Sequence, residues 1–266
     1  VADILSQIIE TKRAEVATAK KRVSFPQIRE AALAARPARN FGEALLREKS
    51  DPRARIIAEC KSRSPSKGVL ISPYNPVALA TTYEASGAAA ISVLTDLEYF
   101  GGNAAHLIEV AKAVDIPVLR KDFIIDEYQI YEARAWGADS FLLLAGVLDH
   151  PQLQYFTEIG RELGMEPLVE SHSAEELEIA LETDCLILGI NNRSLKTFAV
   201  SFDEAEELAR LARTSEHPRI LVCESGIKTR ADIETMHGQD FNAFLIGETL
   251  VRSADPGDTL RGLINP

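Results

Sequence analysis

The chain has 266 residues, with 29 Lys plus Arg against 40 Asp plus Glu and a net charge of −11, a balance that argues against nucleic acid, whose phosphates demand a basic face. It argues less against a small anion, because a few local cations and backbone N–H groups can hold one phosphate inside an acidic protein. One large domain or two small ones fit this length, and such a chain buries about 70–75% of its unfolded surface without needing disulfides or a metal.

The first twenty residues are charged throughout (Asp3, Glu10, Lys12, Arg13, Glu15), unlike a secretory leader. Asp3 to Val23 reads as a charged helix with Ile4, Leu5, Ile8 and Ile9 on one side, and Ser24 to Glu48 as further short helix broken near Pro37. Residues 1–54 are thus expected to form a helical extension packed on the remainder of the chain.

From Arg55 onward short β-rich runs alternate with helical patterns. The strand candidates are Arg55–Cys60, Ala89–Leu94, Pro117–Arg120, Ser140–Leu144, Pro167–Val169, Leu186–Ile190, Ile220–Cys223 and Ala243–Ile246. Most have little internal polarity, as strands covered on both faces require. Between them fall helical stretches at Pro76–Ser86, Ala104–Val114, Glu127–Trp136, Pro151–Leu163, Ala174–Glu182, Phe202–Arg213 and Arg230–Met236, with Gly87, Gly137 and Gly164 placed to end helices. Such a rhythm predicts a single (β/α)8 TIM barrel over residues 55–266, a fold that needs roughly 250 residues. The rival, an open doubly wound sheet, would more often carry a Gly-rich fingerprint after its first strand, and no G-x-G-x-x-G occurs.

Cys60, Cys185 and Cys223 lie far apart inside apolar runs and read as small core residues of a cytoplasmic protein. The longest apolar run, Phe141 to Leu148, is far shorter than the ~20 residues a bilayer span needs, so no membrane partner is expected. His106, His150, His172, His217 and His237 lack metal-ligand spacing, so no metal is expected, and only His172 falls near a strand end.

Barrel enzymes build their sites at the C-terminal strand ends. Those ends here read Glu59-Cys60-Lys61 running on through Ser64 to Gly68, Arg120-Lys121-Asp122, Glu170-Ser171, Asn191-Asn192-Arg193, Glu224-Ser225-Gly226 and Gly247-Glu248. Side chains alternate between the two faces of a strand. If Glu59 faces the interior so does Lys61, and Lys121, Glu170 and Asn191 can take the same direction on theirs. Lysines and glutamates crowded around one dry mouth perturb one another's pKa values, the condition for acid–base work near neutral pH. Ser225-Gly226 and Gly247-Glu248 occupy the two loops where barrels commonly bind phosphate, and Lys61 and Ser64 can complete that clamp. Glu248 suits an anion site only through its backbone N–H.

The run Glu59-Cys60-Lys61-Ser62-Arg63-Ser64-Pro65-Ser66-Lys67-Gly68 resembles the first-strand signature of indole-3-glycerol phosphate synthases. The resemblance continues through Ser92–Asp96 with Tyr99–Gly102, Lys121–Asp126 with Tyr128–Ile130, Val169-Glu170, Gly189–Arg193, Glu224–Ile227 and Phe244–Gly247, in the family's order. It implies closure of 1-(2-carboxyphenylamino)-1-deoxyribulose 5-phosphate to indole-3-glycerol phosphate with loss of CO2 and water, a step of tryptophan biosynthesis that uses no cofactor. By the same resemblance Lys121 is the general acid of ring closure, and Glu170, Glu59 and Lys61 serve the dehydration. Asn191 and Arg193 orient substrate and charged groups; Phe100, Phe123 and Leu144 lie against the anthranilate ring. Lys61, Ser225, Gly226, Gly247 and Glu248 hold the phosphate. Ser194 and Thr249 depart from the commoner family residues. A monomer is expected rather than an oligomer. A phosphoribosylanthranilate isomerase would use a rim Cys and Asp, whereas Cys60 should point outward if Glu59 and Lys61 point in. A barrel that only bound its ligand would be expected to lose the charged rim.

Overall fold

In the computed structural model, which describes residues 4–48, 50–193, 201–215, 217 and 219–266, the predicted strands close into one parallel barrel. They are β1 (Arg55–Cys60), β2 (Ala90–Leu94), β3 (Val118–Lys121), β4 (Ser140–Leu144), β5 (Leu168–Ser171), β6 (Ile187–Asn191), β7 (Ile220–Glu224) and β8 (Ala243–Ile246). Each pairs with the next, and β8 closes on β1 with Ile57 opposite Leu245.

Four strands run further than the sequence suggests. Ladder pairing continues through Lys121, through Glu170 and Ser171, through Asn191 and through Glu224. Polarity marks a strand end only where the side chain meets water, and the side chains of Lys121, Glu170, Asn191 and Glu224 turn into the barrel mouth instead. Below them Ile57, Ala90, Leu119, Leu142, Leu168, Ile187, Val222 and Ala243 form one buried cluster of alternate residues. The opposite faces, including Ile56, Ala58, Cys60, Val93 and Cys223, pack in a second cluster with the helices. Cys60 therefore points outward, as the alternation requires.

The extension folds as α1 (Ile4–Arg22), α2 (Phe25–Ala34) and α3 (Phe41–Leu45); Asp3, where the predicted first helix begins, lies outside the described residues. The barrel helices are α4 (Pro76–Ala85), α5 (Ala104–Ala113), α6 (Glu127–Ala135), α7 (His150–Glu162), α8 (Ala174–Leu181), α9 (Phe202–Ala212) and α10 (Arg230–Gly238), followed by α11 (Glu248–Val251) and α12 (Pro256–Ile264). The last two are not anticipated from sequence. Asp255 caps α12 by accepting from the Asp258 backbone N–H, Pro256 suits its first turn, and Leu260, Leu263 and Ile264 are buried beneath it.

Charge pins the extension at both ends of the barrel. At the lower end Asp139, fully buried, accepts from Arg36 Nη1 and Nη2 at 2.7 and 3.0 Å, from Arg39 Nη1 at 3.2 Å, and from the backbone N–H groups of Arg39 and Val118. At the upper end Lys12 of α1 is 3% exposed and lies 2.9 Å from Asp122 Oδ1 and 3.1 Å from Asp96 Oδ2. Arg120, beside the site on the outer face of β3, stacks on Trp136 at 4.3 Å and bonds Asp122 at 3.0 Å. Against the penalty of burial, Arg120 and Lys12 hold the Asp122 carboxyl at about 2.

Candidate active site

A cavity of about 880 Å³ opens at the C-terminal ends of the strands. Every site residue singled out from sequence lines it: Glu59, Lys61, Ser64, Phe100, Lys121, Phe123, Leu144, Glu170, Asn191, Arg193, Ser225, Gly226, Gly247 and Glu248. The extension does more than pack on the barrel, since Ile4, Leu5 and Ile8 of α1 also line the mouth.

The centre is Lys121. Alternation from Leu119 aims it inward, where Nζ lies 2.5 Å from Glu170 Oε2 and 3.0 Å from Glu224 Oε2. Burial alone would pull an ammonium's pKa down, but Glu170, Glu224 and the more distant Glu59 outweigh it and raise Lys121 above its usual range. Burial would likewise raise Glu170; Lys121 and His172 override that and hold it well below the ordinary carboxylate value. Asn191 Nδ2 donates to Glu170 Oε1 at 2.8 Å, and the Asn191 Oδ1 accepts from the Arg193 backbone N–H at 3.1 Å.

Glu224 is the functional residue that sequence reasoning missed. Burial pushes its carboxyl up to about 8, the charge of Glu170 adds to the shift, and Lys121 offsets it only in part. It is 1% exposed, and among the described residues its Oε1 has no hydrogen-bond partner. A signal exists: Ile220, Val222 and Glu224 alternate on one strand, so the apolar pattern already places Glu224 inside. Two inward positions without side chains make room for the carboxylates. A Cβ on Gly189 would meet Glu224 Oε1 at 2.1 Å, and one on Gly247 would meet Glu59 Oε2 at 2.2 Å. Glu59 in turn pairs with Lys61.

On the β7–β8 side Ser225 and Gly226 both take left-handed backbone, with φ of 66° and 87°. For Ser225 that is strained, as at many ligand sites. The Asn192 Nδ2 donates to the Ser225 carbonyl at 3.0 Å and holds the turn. The Glu248 carboxylate lies 3.7 Å from Arg193 and 3.7 Å from Arg252, leaving two guanidinium groups at this edge of the mouth. Thr249 donates to the Ile227 carbonyl at 2.7 Å, tying the two loops together. Ser194 lies outside the described residues. Phe100 and Phe123 stand 6.1 Å apart between ring centroids, and Leu142, Leu144 and Leu245 add to the apolar lining.

The sequence profile of indole-3-glycerol phosphate synthases matches residues 5–263. The chain belongs to that family. Proteins named indole-3-glycerol phosphate synthase from Laribacter hongkongensis and Chromobacterium violaceum are 46% and 44% identical, each over 99% of this chain and 99% and 98% of theirs. Membership makes the chain a lyase of tryptophan biosynthesis. Among solved structures, 3-hexulose-6-phosphate synthase from Salmonella typhimurium superposes with a TM-score of 0.62 at 13% identity, over 79% of this chain and 96% of that one. Tryptophan synthase from M. tuberculosis gives 0.61 at 14%, over 85% and 99%. At such identities these two speak to the barrel fold alone.

Proposed function

We propose that this mouth closes 1-(2-carboxyphenylamino)-1-deoxyribulose 5-phosphate to indole-3-glycerol phosphate, with Lys121 as the proton donor of ring closure. One observation supports the reading above the rest: Lys121 stays an ammonium between two buried carboxylates at the centre of an apolar-walled cavity. The aromatic carbon bearing the carboxylate attacks the ketone carbon, and the ketone oxygen becomes an alkoxide. That oxygen is a stronger base than any amine, so a proton passes to it from Lys121 despite the ammonium's raised pKa. The carboxylate then leaves as CO2, and its bonding electrons restore the aromatic ring. The new carbon next loses its hydroxyl as water while the neighbouring CH2 gives up a proton.

Glu170, held ionised, takes that proton, and Lys61, held by Glu59, protonates the departing hydroxyl. Asn191 fixes the Glu170 carboxylate. Phe100, Phe123 and Leu144 cover the anthranilate ring. Lys61, Ser64 and Arg193 hold the sugar phosphate chain, and the turns at Ser225-Gly226 and Gly247-Glu248 receive the phosphate through backbone N–H groups. Glu248 takes part through its backbone, because its carboxylate faces Arg193 and Arg252. The protein acts as a cytoplasmic monomer; among its described residues no helix is long and apolar enough to cross a membrane. The test is indole fluorescence with the carboxyphenylamino substrate in chelated buffer. A rising signal is expected, and a flat trace from folded protein would overturn the assignment.

A further inference from the structure

His172 has no part in the ring closure or the dehydration, yet it stands partly buried at the edge of the mouth between two carboxylates. Its Nε2 lies 3.1 Å from Glu170 Oε1 and its Nδ1 lies 3.3 Å from Glu176 Oε2. Its backbone N–H also donates to Glu176 Oε2, at 2.7 Å. Glu176 is itself closely fitted. It sits in the first turn of α8, its backbone N–H donates to the Ser173 hydroxyl, and a Cβ on Gly146 would meet its Oε1 at 2.6 Å.

We infer that His172 is a positioning residue for Glu170, its ring bridging the Glu170 carboxylate to the fixed Glu176 on α8. This rests on Glu170 being the base of the proposed reaction. By distance the Nε2 contact to Glu170 is an ion pair without hydrogen-bond geometry, so the bridge holds only while the imidazole is charged. The groups around it favour that form: Glu170 from β5 and Glu176 from α8 face the ring, and Lys121 of β3 and Glu224 of β7 stand beyond Glu170. Burial opposes the charge, but the two carboxylates outweigh it and lift the ring to about 10. Glu170 is then held from three sides, by Lys121, Asn191 and His172, with its charge kept ionised and its Oε2 directed at Lys121. A helix cap alone would need only the backbone N–H of His172, not its ring.

Two measurements on the full chain test this. NMR titration of the His172 ring should show a midpoint well above that of an ordinary histidine, falling by about one pH unit or more in Glu170→Gln, a tenfold change in proton affinity. An unchanged midpoint would overturn the bridge whether or not the protein makes indole. The second is the pH profile of kcat. His172→Gln should move the acid limb to higher pH, because Glu170 loses a cation that favours its ionised form, while KM changes less than kcat. His172→Lys should return the limb toward its original position. A limb unmoved in His172→Gln, with wild-type turnover present, would defeat the inference and leave the reaction assignment standing. Wild-type protein that makes no indole would defeat the reaction assignment, and the NMR titration would still decide the bridge.

Discussion

Two buried charge clusters lie at opposite ends of the barrel and are built on opposite principles. At the lower end a single carboxylate, Asp139, is met by two guanidinium groups and two backbone N–H groups, so it has donors in surplus. At the mouth one ammonium, Lys121, serves two carboxylates, and Glu224 keeps an oxygen with no partner among the described residues. Both clusters carry the desolvation cost of buried charge. The saturated one has only one low-energy arrangement and fixes the extension to the barrel. The under-paired one retains a proton that is contested among its members, which is what acid–base chemistry requires.

Breaking each cluster at its centre should separate these roles. Lys121→Ala should lower kcat by about 10²–10⁴-fold with little change in KM, because a proton donor acts in the transition state; steady-state indole formation measures it. Near-normal turnover would remove Lys121 from the chemistry. Asp139→Ala leaves Arg36 and Arg39 facing a buried void and should cost about 3–5 kcal/mol, lowering Tm by roughly 10 °C. Its kcat at 25 °C should stay close to wild type. Thermal unfolding followed by circular dichroism, beside the same assay, tests both halves.

A finer cut is Gly247→Ala. The added Cβ would occupy the place of Glu59 Oε2, 2.2 Å away, so Glu59 and its partner Lys61 must shift. Turnover should drop on the order of tenfold, the scale of a misplaced catalytic group, with Tm nearly unchanged. A last cut concerns protons. Glu224, raised from the ordinary 4.5 to about 8, binds a proton in the folded state that the unfolded chain releases through that interval. Its contribution to stability is therefore favourable at low pH and is lost as pH climbs from about 4.5 through about 8. Glu224→Gln should flatten that part of the stability–pH curve, measured by urea unfolding at several pH values. A curve of unchanged slope would mean that Glu224 does not carry the contested proton.

Much of the barrel and most of its mouth are legible in the sequence. Eight apolar runs with polar ends, spaced by helical stretches, carry enough pattern to specify the barrel, because every strand must be covered on both faces. Alternation along β1 places Glu59 and Lys61 inside and Cys60 outside without reference to any neighbour. The same rule applied to Ile220 and Val222 finds Glu224, which is missed only when the strand is ended at its last apolar residue. Strand limits at Lys121, Glu170 and Asn191 fall short for the same reason. Local polarity is mistaken for exposure.

What the sequence by itself determined is periodic and local: the order of the strands, the inward direction of side chains two apart, the helix caps, and the family signature around Glu59 to Gly68. Only the tertiary structure decided which charges meet. Lys121 finds Glu224 across 103 positions of chain and Glu170 across 49, and Lys12 of the extension is buried against Asp96 and Asp122 of the barrel. Such pairings depend on barrel closure and on the seating of α1 over the mouth. Their energies come from removing those groups together from water, and no window of sequence contains both partners.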